Sequence, residues 1–443
     1  RQRQMCIRDS SYSEERVRLL NVLTKEKLLK KENVQQAYDV LKSVVRHTPL
    51  QYDAYLSQKY DCQVYLKRED LQVVRSFKLR GAYYGITQLS EEKRKKGVVC
   101  ASAGNHAQGV AWTCKKMGIP AVIFMPTTTP KQKIEQVKFF GKGYATIQLI
   151  GDTFDDSAKA AQKYCQQESL TFIAPFNDLQ TMSGQGSLAV EIYQDMVKDG
   201  IQIDYMLSAI GGGGLISGIS AYMKAVSPQT KIIGVEPNGA ASMAEAFKVG
   251  HPVTLQTMDK FVDGAAVSTV GDLTYLNAHE YVDQLVTVAE GHVCTTILEL
   301  YNKEAIVAEP AGALSVSALD NISSEIVGKT VVCVVSGGNN DIGRMQEIKE
   351  RSLVYEGEQL YYVVNFPQRP GALKEFVNQI LNADDDITKF EYTKKVNRGK
   401  GPVLIGIQLG KRENVAQLQR RLSAFDPQYI DLKENQMLYE MMV

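Results

Sequence analysis

Short apolar runs rich in β-branched residues alternate along this chain with longer stretches whose apolar positions recur every three or four residues. The runs are VVCAS (98–102), AVIFMP (121–126), YATIQLI (144–150), MLSAIG (206–211), KIIGVEP (231–237) and TVVCVVS (330–336). Each precedes a turn and a helical pattern, which predicts parallel strands in an α/β protein. QVYLKRE (63–69) predicts one more strand. Upstream, helical spacing from about Glu14 to Val45 predicts two helices, ended by His47-Thr-Pro-Leu50. Residues 1–10 follow neither period and are set aside as artefact or disordered. Ligands of open parallel sheets collect at the carboxyl ends of the strands, so the turns after these runs are where chemistry is expected.

The pattern changes after Ser336. A charged helical stretch, Arg344–Arg351, leads into LYYVVNFP (360–367), and a new domain is expected from about Ser352. Its order reads strand (360–366), Pro370-Gly371 turn, helix (372–382), strand (387–395), Gly-rich hairpin (397–401), strand (403–409), helix (413–424) and a final short strand. This βαββαβ order is the ferredoxin-like arrangement. The expected domains are 11–345, with a smaller subdomain at about 80–175, and 352–443.

Composition narrows the function. A chain of 443 residues exceeds what one core organises, which agrees with several domains. Net charge is +1 with both signs interleaved, so no nucleic-acid partner is expected. No apolar run reaches the ~18 residues of a membrane span, and the amino terminus lacks the pattern of a signal peptide. No membrane partner and a cytoplasmic location are therefore expected. The seven cysteines form no Cys-x-x-Cys pair and read as reduced thiols. The five histidines show no short ligand spacing, so no metal site is expected.

Four segments could carry chemistry. In Ser76-Phe77-Lys78-Leu79-Arg80-Gly81-Ala82, a lysine between two large apolar residues can lose hydration, which lowers its pKa and frees the amine to attack a carbonyl. Taken singly, a lysine is far more often a solvated surface charge. Ser102-Ala103-Gly104-Asn105-His106 follows a strand and opens a helix, whose unpaired N–H groups suit a carboxylate; a simple capped turn would use the same residues. Gly211-Gly212-Gly213-Gly214-Leu215 leaves only backbone N–H groups facing a ligand, a nest for a phosphate that fits neither the dinucleotide nor the Walker pattern. Ser336, after VVCVV, could cap a helix or hydrogen-bond a ring nitrogen.

Together and in this order, SFKLRGA (76–82), SAGNHAQG (102–109), GGGGL (211–215) and VSGGN (335–339) resemble the fold-type II pyridoxal-phosphate enzymes, specifically the threonine dehydratases, over about Lys42–Ile342. FPQRPGAL (366–373) is similar to the ACT-like regulatory domain of biosynthetic members, with room for one such domain. The resemblance implies pyridoxal 5'-phosphate held by Lys78 as a Schiff base, with the freed Lys78 amine acting as base at Cα. Asn105 would bond the ring hydroxyl, Gly211, Gly212, Gly213, Gly214 and Leu215 would hold the phosphate, and Ser336 would face the ring nitrogen. Phe77 would pack on the ring, and the backbone of Ser102, Ala103, Gly104, Asn105 and His106 would take the substrate carboxylate. The implied reaction converts L-threonine to 2-oxobutanoate and ammonia, the first committed step of isoleucine biosynthesis. Isoleucine and valine are the implied effectors and a homotetramer the implied assembly. Family members often bind a cation, for which Glu236 stands at a suitable place, but Ala240 and Ser242 supply no second carboxylate. Serine racemases and catabolic serine/threonine dehydratases share the first two motifs and form the alternative. A ligand-sensing protein that has lost activity is a second, at odds with the survival of all four segments.

Overall fold

The computed structural model describes residues 26–393 and 399–443. Residues 1–10, the helical pattern of 14–25 and the start of the expected 397–401 hairpin lie outside the described residues. The second expected helix spans Lys31–Leu41 and buries Val34, Ala37 and Leu41, one face at helical spacing. The chain forms two compact units, one ending at Ile342 and one starting at Gly343.

Among the described residues, the strands of the first unit are β1 (Leu50–Tyr52), β2 (Gln63–Arg68), β3 (Val98–Ala101), β4 (Ala121–Met125), β5 (Ala145–Leu149), β6 (Thr171–Phe172), β7 (Tyr205–Ala209), β8 (Lys231–Pro237), β9 (Gln284–Val288) and β10 (Thr330–Val335). They form two sheets. The larger has the order β1-β2-β10-β7-β8-β9, parallel except for β1. Every residue of β10 is buried, because a central parallel strand is covered on both faces; this is why TVVCVV is apolar without alternation. The smaller sheet, β5-β4-β3-β6, is parallel throughout. Its core joins Val98, Cys100, Ile123 and Met125 to Ala107, Val110 and Cys114 of the helix Asn105–Met117. All six alternating runs and QVYLKRE form strands. β1, β6 and β9 were not expected; β1 and β6 are too short, at three and two residues, for a period to show.

The second unit contains β11 (Gln359–Pro367), β12 (Asp386–Tyr392), β13 (Lys400–Gln408) and β14 (Ile430–Asp431) in the antiparallel order β12-β13-β11-β14. The helices Ala372–Ile380 and Val415–Phe425 complete the ferredoxin-like βαββαβ order. Phe366 lies at the centre, its ring centroid 4.9 Å from that of Phe376. The unit starts before the expected Ser352, since the helix Met345–Glu356 packs Val354 beside Tyr361 and Leu404, and Glu350 accepts from the Tyr361 hydroxyl. Its charge made it look like a connector, yet one face is docked on β11.

Candidate active site

The turn after β10 meets the loop before Lys78, the helix that follows β3 packs Gly109 against Lys78, and the turn after β7 lies against Phe176. Ser76 and Gly337 form an antiparallel bridge: the Phe77 N–H donates to Ser336 O at 3.1 Å and the Gly338 N–H to Arg75 O at 2.9 Å. Lys78 opens the helix Lys78–Thr87. Gly109 lies against it, where a Cβ would sit 3.2 Å from the Lys78 carbonyl. The part-buried Lys78 amine donates to Pro175 O at 2.9 Å and lies 5.4 Å from the Phe77 ring centroid. Burial lowers its pKa to about 8, while the Glu309 carboxyl pulls the other way.

Pro175 leads to Phe176, which roofs the glycine loop. A Cβ on Gly212 would lie 2.2 Å from Phe176 Cγ, so the loop passes beneath the ring only as glycine. Gly213 takes φ of 90°, a left-handed conformation that side chains disfavour, and caps the helix Gly214–Val226. The first N–H groups of that helix have no intrahelical acceptor and face an approaching anion. Leu215 is buried in the core behind the loop.

After β3 the Ser102 N–H is engaged in the sheet, donating to Phe124 O at 3.0 Å, and the Gly104 N–H donates to the Ser102 hydroxyl at 3.2 Å. Two amides of the expected carboxylate cradle are thus engaged within the protein, and the helix Asn105–Met117 that follows opens with N–H groups that have no intrahelical acceptor. His106 is 3% exposed and its Nε2 lies 3.0 Å from Ile173 O. A carbonyl only accepts, so Nε2 carries the hydrogen and buried Nδ1 keeps a lone pair that meets no partner among the described residues. Burial, reinforced by Lys78, lowers the His106 pKa to about 3, so the ring is a neutral acceptor at ordinary pH.

Ser336 is buried after β10, with its hydroxyl 3.3 Å from Ala311 O. Beside it stands Glu309, before the helix Pro310–Ser317. The Asn105 side-chain nitrogen donates to Glu309 Oε1 at 2.6 Å. Burial raises the Glu309 pKa to about 7, with Asp263 adding to the shift and Asn105, Lys133 and Lys78 opposing it.

Residues 41–337 match the family described as pyridoxal-phosphate dependent enzyme, and residues 350–442 match the C-terminal regulatory domain of threonine dehydratase. The biosynthetic L-threonine dehydratase of Staphylococcus aureus strain N315 is 59% identical over 413 residues, 93% of this chain and 98% of that protein. This chain belongs to the threonine dehydratase family of pyridoxal-phosphate enzymes. The processed form of threonine deaminase isoform 2 from Solanum lycopersicum superposes with a TM-score of 0.69 at 36% identity, over 75% of this chain and 88% of that one. Maize serine racemase gives 0.67 at 29% identity, over 74% and 98%. The fold is accordingly that of fold-type II enzymes with a carboxyl-terminal regulatory domain.

The residues present fit the cofactor of a threonine dehydratase. A lysine of lowered pKa suits a carbonyl, and a loop kept to glycine by Phe176 against Gly212 and by Met243 and Thr274 against Gly213 has only backbone N–H groups to offer a phosphate. Asn105 and Ser336 could reach a ring hydroxyl and a ring nitrogen, and Phe77 contributes an apolar wall. Glu309 and Pro175 were not anticipated. Ala308-Glu309-Pro310-Ala311 reads as an ordinary helix start with proline at its first position, and nothing marks Pro175 in sequence.

The helix Lys78–Thr87 also carries Arg80, which is fully buried. Its guanidinium meets Glu69 at 2.8 and 2.9 Å and Glu191 at 2.7 and 3.0 Å. Lys67 donates to Glu191 at 2.6 Å and Thr48 to Glu69 at 2.5 Å. Two cations and two carboxylates thus neutralise one another behind the site.

Proposed function

We propose that this chain dehydrates and deaminates L-threonine to 2-oxobutanoate and ammonia, with Lys78 attaching pyridoxal phosphate and moving the Cα proton. The observation that carries the reading is the desolvated Lys78 amine, stitched beside Ser336 and next to the roof of the glycine cradle. Bound there, the cofactor supplies an electron sink that acidifies the Cα–H of an attached amino acid. A pKa of about 8 leaves roughly 300-fold more of the Lys78 amine neutral at pH 7 than for an ordinary lysine, ready to accept that proton. First-turn N–H groups from Asn105 and His106 hold the substrate carboxylate, and those of Gly211–Leu215 hold the phosphate. Asn105 donates to the ring hydroxyl. Ser336, a neutral partner opposite the ring nitrogen, does not hold a proton there as a carboxylate would. Loss of water yields an enamine that hydrolyses after release to 2-oxobutanoate and ammonia.

The likeness of residues 350–442 to the regulatory domain supports inhibition by isoleucine and an opposing action of valine. It also favours this biosynthetic reading, in isoleucine formation, over serine racemase. A homotetramer in the cytoplasm fits the family, and no described helix is long and apolar enough to cross a membrane. An absorbance spectrum with a product assay on L-threonine, with and without isoleucine, tests the reading. We expect a Schiff-base band lost in Lys78→Ala, 2-oxobutanoate as product and a lower rate with isoleucine. D-serine formed from L-serine faster than 2-oxobutanoate is formed from L-threonine would overturn it.

A further inference from the structure

Asn105, Glu309 and Asn339 come from three segments and meet through their side chains. The backbone carbonyl of Val74 can only accept, and the Asn339 side-chain nitrogen lies 2.9 Å from it, which fixes the Asn339 amide. The same nitrogen is 2.8 Å from Asn105 Oδ1 and 3.1 Å from Gln108 Oε1. The Asn105 oxygen is therefore turned toward Asn339 and its nitrogen toward Glu309, 2.6 Å away. A flipped Asn105 would set oxygen against the Glu309 oxygen and nitrogen against nitrogen. Room for this contact depends on Gly337, where a Cβ would lie 2.1 Å from Glu309 Oε1. The Glu309 N–H, donating to Gly337 O at 3.1 Å, anchors the segment.

We propose that Glu309, with Asn339, is a positioning residue that locks the Asn105 amide so that an N–H, rather than a carbonyl oxygen, meets the ring hydroxyl of the cofactor. The proposal rests on the reading that Asn105 faces that hydroxyl. One Asn105 hydrogen is taken by Glu309 and the second remains for the ring oxygen. A donor there favours the ionised ring oxygen, whereas a flipped amide would favour the protonated one. Glu309 accepts from Asn105 whether or not its own carboxyl is protonated. Asp263, Lys133 and Lys78 are the charged groups that act on it.

The test is a pH titration of the bound cofactor's absorbance in the holoenzyme, with cofactor dissociation measured in parallel. Asn105→Ala sets the scale: we expect the ring-hydroxyl transition to rise by about one pH unit and the cofactor to bind about tenfold more weakly. Glu309→Ala and Asn339→Ala should each give at least half of both effects. Glu309→Gln, whose amide oxygen still accepts, should restore both. The double variant Asn105→Ala/Glu309→Ala should be no worse than Asn105→Ala alone. Should Glu309→Ala fold poorly, Asn339→Ala reads the same orientation from the other side. Wild-type titrations in Glu309→Ala and Asn339→Ala beside a shifted Asn105→Ala would overturn the proposal. An unshifted Asn105→Ala would instead overturn the placement of Asn105 at the ring, and with it the reading on which the proposal stands.

Discussion

Lys78 and Arg80 are two residues apart on one helix, yet their surroundings do opposite things to a buried charge. Burial disfavours the Arg80 charge, but Glu69 and Glu191 more than offset it and hold the guanidinium protonated. Glu191 is in turn held below the usual carboxylate range: burial alone would raise it, but Arg80 and Lys67 prevail. Around Lys78 the balance is left open, so the lysine is pushed down, Glu309 up and His106 down. Burial alone therefore does not make a reactive group; the withholding of a matched counter-charge does.

That contrast can be broken by substitution. Lys78→Ala should abolish the Schiff-base band and lower product formation by at least ~1000-fold while thermal unfolding barely moves, the scale expected when a covalent nucleophile is lost. A comparable loss of melting temperature would make Lys78 structural. Arg80→Met leaves two buried carboxylates short of a partner and should cost about 3–5 kcal/mol in urea unfolding. A cost below about 1 kcal/mol would mean that the cluster is not the matched set described.

A pH experiment on the cofactor-free protein sharpens the comparison. Glu309 has a folded pKa of about 7 against an ordinary 4.5, so its folded state holds the proton more tightly and stability falls as pH rises from 4.5 to 7. Glu236, also raised to about 7 by burial, acts in the same direction. His106 acts oppositely, because the unfolded ring takes up the proton first. Comparing wild type with Glu309→Gln isolates the one carboxyl: the variant should lose about 3 kcal/mol less between pH 4.5 and 8 in denaturant titrations. Identical pH dependences would refute the raised pKa. The smallest effect belongs to exposed pairs such as Lys95–Glu91, whose side chains are 75% and 74% exposed. Lys95→Ala should shift stability by no more than about 0.5 kcal/mol.

Much of this was legible in the chain. Central strands such as β10 announce themselves because burial on both faces demands unbroken apolar residues, and Gly211–Gly214 stands out because a plain turn does not need four glycines. The pairing of Arg80 with Glu191 was not legible, since 111 residues separate them and each reads as a surface charge. Nor was Glu309, whose position resembles any helix start until Gly337 and Asn105 are brought against it. Nor was the bond of the Ser102 amide to Phe124 legible, because a turn residue can still belong to the sheet.

The bridge between Ser76 and Gly337 has a consequence for biogenesis. It closes a span of 261 residues, and β10, the last strand of the first unit, inserts between β2 and β7 in the middle of its sheet. Such non-local closure comes late in folding. A nascent chain released before about residue 340 would own Lys78 but not the pocket around it. Cofactor capture would therefore report that the large sheet has closed, a chemical signature of completed folding that appears only when the final strand is in place.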